Sequence, residues 1–182
     1  MTVRMSVLDT GDLPEAELCA LRLDGDLFGL GSAYCAIDEI DTPALRGASL
    51  ARLAGPRLIA ERLTAAWVWG AADRCPERPE FCSSLDARSR PWRPLPIEHR
   101  EVSIGADEVQ LVAGLVITTP TRTLLDLARM PVADADQVVA TMRRLVAGGL
   151  VDARSALSAL TSRPNLPHSR RAVARMRGAL GD

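Results

Sequence analysis

The residues best suited to chemistry in this chain are arginines. Arg122 and Asp126 lie four apart in Thr118-Thr119-Pro120-Thr121-Arg122-Thr123-Leu124-Leu125-Asp126-Leu127-Ala128, so a helix starting at Pro120 places them on one face. Two readings stay open for the pair. It is either a solvent-side ion pair worth about 0.3–0.5 kcal/mol, or Arg122 anchors a phosphate or a partner's carboxylate while Asp126 orients the guanidinium. A second group, Arg88, Arg90 and Arg93, surrounds Pro91-Trp92 and Pro94. Guanidiniums beside an indole in a proline-rich stretch suit an acidic partner or a nucleic acid, or form a solvated loop. A third group, Arg170, Arg171 and Arg175, with Arg163, Arg177 and His168 nearby, makes a basic ridge on the last helix, unless it serves only to complement that helix's dipole.

No catalytic set accompanies these groups. The chain has no GxSxG, no phosphate-cradling glycine loop and no histidine pair at a metal-binding spacing. Cys19, Cys35, Cys75 and Cys82 form no CxxC, and His99 and His168 stand at no ligand distance from them, which argues against zinc. The expectation is a protein that binds macromolecules and needs no cofactor, metal or small-molecule substrate.

The elements that must carry these arginines follow from local signals. Pro14 and the acidic turn of Glu15 and Glu17 open a helix running to Leu23. Leu27–Leu30 and Ser32–Ile37 read as two strands about Gly31. A helix opens at Pro43 and stops at Gly55-Pro56, a strand fits Leu58–Ala60, and Thr64 should cap a short helix ended by Gly70. Trp67 and Trp69 cannot share a face of that helix, so one of them should be half exposed or meet a second layer. Strands are expected at Glu80–Ser84, Ile97–Ile104, Glu108–Val112 and Leu115–Thr118, the last three forming a meander. Four helices follow: Thr119 caps one through Met130, then Ala133–Ala147, Asp152–Leu160 and Ser169–Leu180. The fold class is α+β: a helix plus β-hairpin, then a mixed sheet with flanking helices and a helical C-terminus. A boundary near Asp41-Thr42 divides residues 1–41 from an interaction domain at 42–182.

Composition narrows the class. With 182 residues, 47% of them apolar, the chain can bury a full core, and an aromatic content of 3% makes that core aliphatic. All 22 positive residues are arginine, which reflects either codon usage or a preference for the planar fork. Residues 1–50 carry three arginines against nine carboxylates, and residues 151–182 carry six against two. No apolar stretch reaches the roughly 18 residues of a membrane span, and the first residues lack a signal-peptide core, so a cytoplasmic location is expected.

The ordered landmarks Leu13-Pro14-Glu15-Ala16-Glu17-Leu18, Leu23-Asp24-Gly25-Asp26-Leu27, Pro43-Ala44-Leu45-Arg46, Thr64-Ala65-Ala66-Trp67-Val68-Trp69-Gly70 and Thr118-Thr119-Pro120-x-Arg122-Thr123-x-x-Asp126-Leu127-Ala128 resemble those of the actinobacterial AbiEi-type antitoxins of type IV toxin-antitoxin systems. The resemblance spans about residues 13–130. It implies a winged helix-turn-helix that represses its own operon and a C-terminal α/β domain that counters a nucleotidyltransferase-like toxin. The partners it implies are that toxin and operator DNA; the alternative is a DNA-binding transcriptional regulator with no toxin partner. Only a partial winged helix fits before residue 42, and Glu15, Glu17, Asp24 and Asp26 stand there against Arg22 alone, so operator binding through this segment should be weak. The same helix motif occurs in proteins that continue into a Vsr-like endonuclease domain, for which four helices after the motif leave no room.

Overall fold

The computed structural model describes residues 7–55, 57–87, 96–131, 135–161 and 169–180. It is an α+β fold with two sheets. The first helix, α1 (Glu15–Asp24), has its carboxylates in the first turn and Arg22 in the last, both complementing the dipole. Gly25, at φ 86°, ends it by turning the backbone left-handed, so that Gly25 N–H reaches the Arg22 carbonyl and Asp26 N–H the Leu21 carbonyl. Leu18 is the one buried residue of α1.

The hairpin β2 (Leu27–Leu30) and β3 (Ala33–Ala36) follows as expected, and a two-residue strand, β1 (Val7–Leu8), adds to the free side of β3. This small antiparallel sheet leans on α2 (Pro43–Ala54), whose first turn is held by Thr42 Oγ1 accepting Leu45 N–H. The approach is close at Gly31, where a Cβ would sit 2.6 Å from Ser49 Oγ. Leu30 and Cys35 thereby join Leu45, Leu50 and Trp67 in one aliphatic core.

The second sheet has five strands: β4 (Ile59–Ala60), β5 (Glu80–Ser84), β6 (Glu98–Val102), β7 (Val109–Val112) and β8 (Leu115–Thr118), in the order β6-β5-β4-β8-β7. The meander expected for the last three strands is not what forms. Only β7 and β8 make a hairpin, while β6 pairs in parallel with β5 on the opposite edge. The connection at residues 103–108 must therefore pass three intervening strands, and Ala106–Glu108 winds into a single 3₁₀ turn on the way. Central β4 runs parallel to β8 and antiparallel to β5.

Helix α3 (Arg62–Val68) leaves β4 two residues earlier than the sequence suggested. Thr64 does not cap it; that hydroxyl is buried in the first turn and accepts Glu80 N–H at 2.8 Å. The orphan Leu63 N–H is taken instead by the Glu80 carboxylate at 2.9 Å, a cap supplied from another strand. Trp67 is buried and Trp69 half-buried, the latter donating its indole N–H to the Thr118 carbonyl. Helices α4 (Pro120–Arg129), α5 (Ala135–Ala147), α6 (Ala153–Thr161) and α7 (Ser169–Leu180) complete the core through Leu124, Leu127, Met142, Leu145, Leu160 and Met176. Among the described residues, no helix is long and apolar enough to cross a membrane.

Candidate functional site

β4 and β8 are adjacent and parallel, so the helices that follow them, α3 and α4, start side by side at one end of the sheet. At that end the chain collects charges. Glu61, the residue between β4 and α3, is 1% exposed and receives Arg100 of β6 in a two-pronged pair, Nε to Oε1 at 2.6 Å and Nη2 to Oε2 at 2.5 Å. The same Arg100 Nη2 lies 3.7 Å from Asp126 of α4. Asp126, 7% exposed, accepts Arg122 Nε at 2.9 Å. Arg122 then continues outward: Nη1 donates to Glu108 at 2.6 Å, and both terminal nitrogens reach the Ser103 carbonyl at 3.3 Å. The result is an alternating ladder, Glu61–Arg100–Asp126–Arg122–Glu108.

A side branch lies at the start of α3. Arg62 sits between Glu61 at 3.8 Å and Glu80 at 3.6 Å, with its Nε buried and making no hydrogen bond. Its backbone φ of 50° lies in a region that a long side chain enters at a cost. Counting the cluster as Glu61, Glu80, Glu108 and Asp126 against Arg62, Arg100 and Arg122 leaves one excess negative charge. Burial pushes Asp126 above the usual carboxylate range, with Arg122 and Arg100 pulling the other way. Burial likewise raises Glu80, against the pull of the Leu63 N–H and Arg62. Burial opposes charge on Arg100 and Arg122 too, but Glu61 and Asp126 more than offset it and hold both guanidiniums firmly protonated.

This geometry decides between the local readings of the Arg122–Asp126 pair in part. The pair forms with its i,i+4 spacing, but it is not on the solvent side: Arg122 is 11% exposed and its fork is engaged by Asp126, Glu108 and Ser103. A phosphate could take that fork only by displacing these partners. What the ladder does is mechanical: it ties α3, α4, β6 and the 103–108 crossing to one another. Among the described residues, no group of three or more histidine, cysteine or carboxylate side chains is placed to hold a metal ion.

The other predicted contact residues lie elsewhere. Arg88, Arg90 and Arg93, and the side chain of Arg170, lie outside the described residues. On α7, Arg171 and Arg177 are exposed, whereas Arg175 turns inward and donates to the Met130 carbonyl at the end of α4. Neighbouring Arg143 on α5 donates to the Gly178 carbonyl at 2.7 Å. Sequence reasoning missed Glu61, Glu80, Arg100 and Glu108. Their partners lie 39 residues away for Glu61 with Arg100 and 14 for Glu108 with Arg122, beyond the reach of any periodicity.

Against known proteins, the family model of the AbiEi antitoxin C-terminal domain matches residues 59–172, a span that runs from β4 into α7. No curated protein matches the chain. Among solved structures, it is similar to the RV2827C protein from Mycobacterium tuberculosis, with 20% identity and a TM-score of 0.49 over 94% of this chain and 70% of that one.

Proposed function

Because the chain belongs to the AbiEi antitoxin C-terminal domain family, we propose that it acts as an antitoxin-like binding protein that counters a nucleotidyltransferase-like toxin. The observation that carries this reading is the family match over residues 59–172, which takes in the whole charge ladder. In this reading residues 42–182 are the interaction domain, and residues 1–41 are an acidic appendage. The ladder is the frame, since its charges answer one another, and the toxin meets arginines that are not spent internally. Arg171 and Arg177 qualify, because they are exposed and no hydrogen bond or ion pair among the described residues uses them. Arg170, Arg88, Arg90 and Arg93 complete the proposed contact set. Arg175 contributes by holding α7 to α4, and Arg122 and Asp126 by holding the frame.

The test is co-expression with a nucleotidyltransferase-like toxin, taken from a neighbouring gene of its own genome. Wild type should rescue growth and co-purify with the toxin, and Arg171→Glu with Arg177→Glu should abolish both without lowering the melting temperature. Failure of the wild-type chain to rescue or to bind would refute the antitoxin reading. Binding to promoter DNA whose affinity falls steeply with salt, with no toxin complex, would replace it with the transcriptional one.

A further inference from the structure

The two edges of the five-stranded sheet are built differently. Edge strand β6 carries Glu98, His99, Arg100 and Glu101, with Glu98 paired to Arg78, and such charges discourage another strand from adding. Edge strand β7 reads Val109-Gln110-Leu111-Val112: no charge, no proline, and Leu111 is 70% exposed. Its backbone is also poised. The turn at Ala113 and Gly114, with φ 47° and 89°, joins the opposed residues Val112 and Leu115 in a two-residue hairpin of the primed type. Such a hairpin closes on a hydrogen-bonded pair, and the Thr119 N–H to Glu108 carbonyl bond places another such pair four residues away. Gln110 and Val112 therefore spend their backbone groups on β8. The N–H and C=O of Val109 and Leu111 point outward, where no other hydrogen bond among the described residues takes them.

We propose that β7 is the edge through which two copies of this chain join, antiparallel, about a two-fold axis at Gln110. In that register Val109 of each copy exchanges both backbone bonds with Leu111 of the other, which satisfies the outward groups on both strands. The side chains agree with it. Val109 and Leu111 lie on one sheet face, so each exposed Leu111 covers a Val109 across the axis and extends the row Leu111, Val116, Ile59 and Cys82, which the strand register aligns across β7, β8, β4 and β5. Gln110 meets its own copy on the other face, amide to amide. The charges agree as well: none of the four residues of β7 carries a charge, so no like charges meet across the paired strands.

The inference stands apart from the antitoxin reading and is tested apart from it. In a Cys19→Ser background, Gln110→Cys places two thiols on the axis as a non-hydrogen-bonded pair, with Cα atoms about 4.5 Å apart, within disulfide reach. Leu111→Cys places them diagonally, more than about 7 Å apart, beyond it. Mild oxidation of the full-length chain should cross-link the first variant and not the second. In wild type, raising the concentration should convert monomer to dimer in sedimentation and slow hydrogen exchange at Val109 and Leu111, but not at Gln110 and Val112. Leu111→Lys should return the chain to monomer. A wild type that sediments only as monomer, cross-linking that does not distinguish the two cysteine variants, or a dimer unaffected by Leu111→Lys would overturn it.

Discussion

Replacing Arg122 by methionine separates the buried ladder from the weak surface pair that helix spacing alone suggests. The substitution keeps an aliphatic stem of similar length but removes the fork that Asp126, Glu108 and Ser103 share. Asp126 is then left with Arg100 at 3.7 Å, too long for a hydrogen bond, in a site that excludes water. Removing one member of a buried pair costs about 3–5 kcal/mol. Glu108 is partly exposed and can rehydrate, and Asp126 can escape by taking up a proton, so about 3 kcal/mol is the working figure. For a chain of this size each kcal/mol moves the melting temperature by about 2–4 °C, giving a drop of about 6–12 °C. The assay is thermal unfolding by calorimetry at neutral pH. Adding Asp126→Leu to Arg122→Met should recover part of the loss, because no unpaired carboxylate then remains inside and Arg100 keeps Glu61. A single variant that melts within about 2 °C of wild type would refute the reasoning, since only an exposed pair is worth so little.

The remaining predictions concern pH and backbone. Asp126 and Glu80 have raised folded-state preferences for their protons, so their contribution to stability is complete below the ordinary carboxylate range and declines as pH rises through their raised values. Asp41 is the opposite case: hydrogen bonding to Arg46 lowers its pKa, so its contribution is present above the ordinary range and is lost as pH falls below it. Melting curves of Asp126→Asn and Asp41→Asn against wild type should therefore differ in sign of slope, the advantage of wild type over Asp126→Asn shrinking as pH rises and that over Asp41→Asn shrinking as pH falls. Parallel slopes for the two variants would contradict this assignment. Gly31→Ala should cost about 2 kcal/mol in denaturant unfolding, because Gly31 has φ 59° and an added Cβ collides with Ser49 Oγ; an unchanged midpoint would show that the hairpin does not press on α2 as described.

What the sequence made legible was whatever is written within a few residues. The α1 and α4 starts follow from proline and their neighbours, the β2–β3 hairpin from Gly31, and the α7 limits match residue for residue. Errors arose where a distant element set the answer. β1 is two residues long and exists only because β3 offers an edge. Thr64 has the look of a cap, but Glu80 arrives from β5 to do that work. The short gap between the strands expected at Ile97–Ile104 and Glu108–Val112 suggested adjacent strands, because a short connection does not say which edge of the sheet the chain reaches next. The Arg122–Asp126 pair was visible through its spacing, while its burial was not, because Arg100 and Glu108 come to it from other elements.

The order of strands in the large sheet also bears on how the protein is made. β4 leaves the ribosome before both of its neighbours, β5 and β8, and β8 is the last strand synthesised although it lies inside the sheet. Until residues 115–118 emerge, one side of β4 stays bare and the nascent chain carries an unsealed edge flanked by Ile59. Final closure by long-range pairing is intrinsically slow, so the growing polypeptide spends its most adhesive interval just before the helical half is translated.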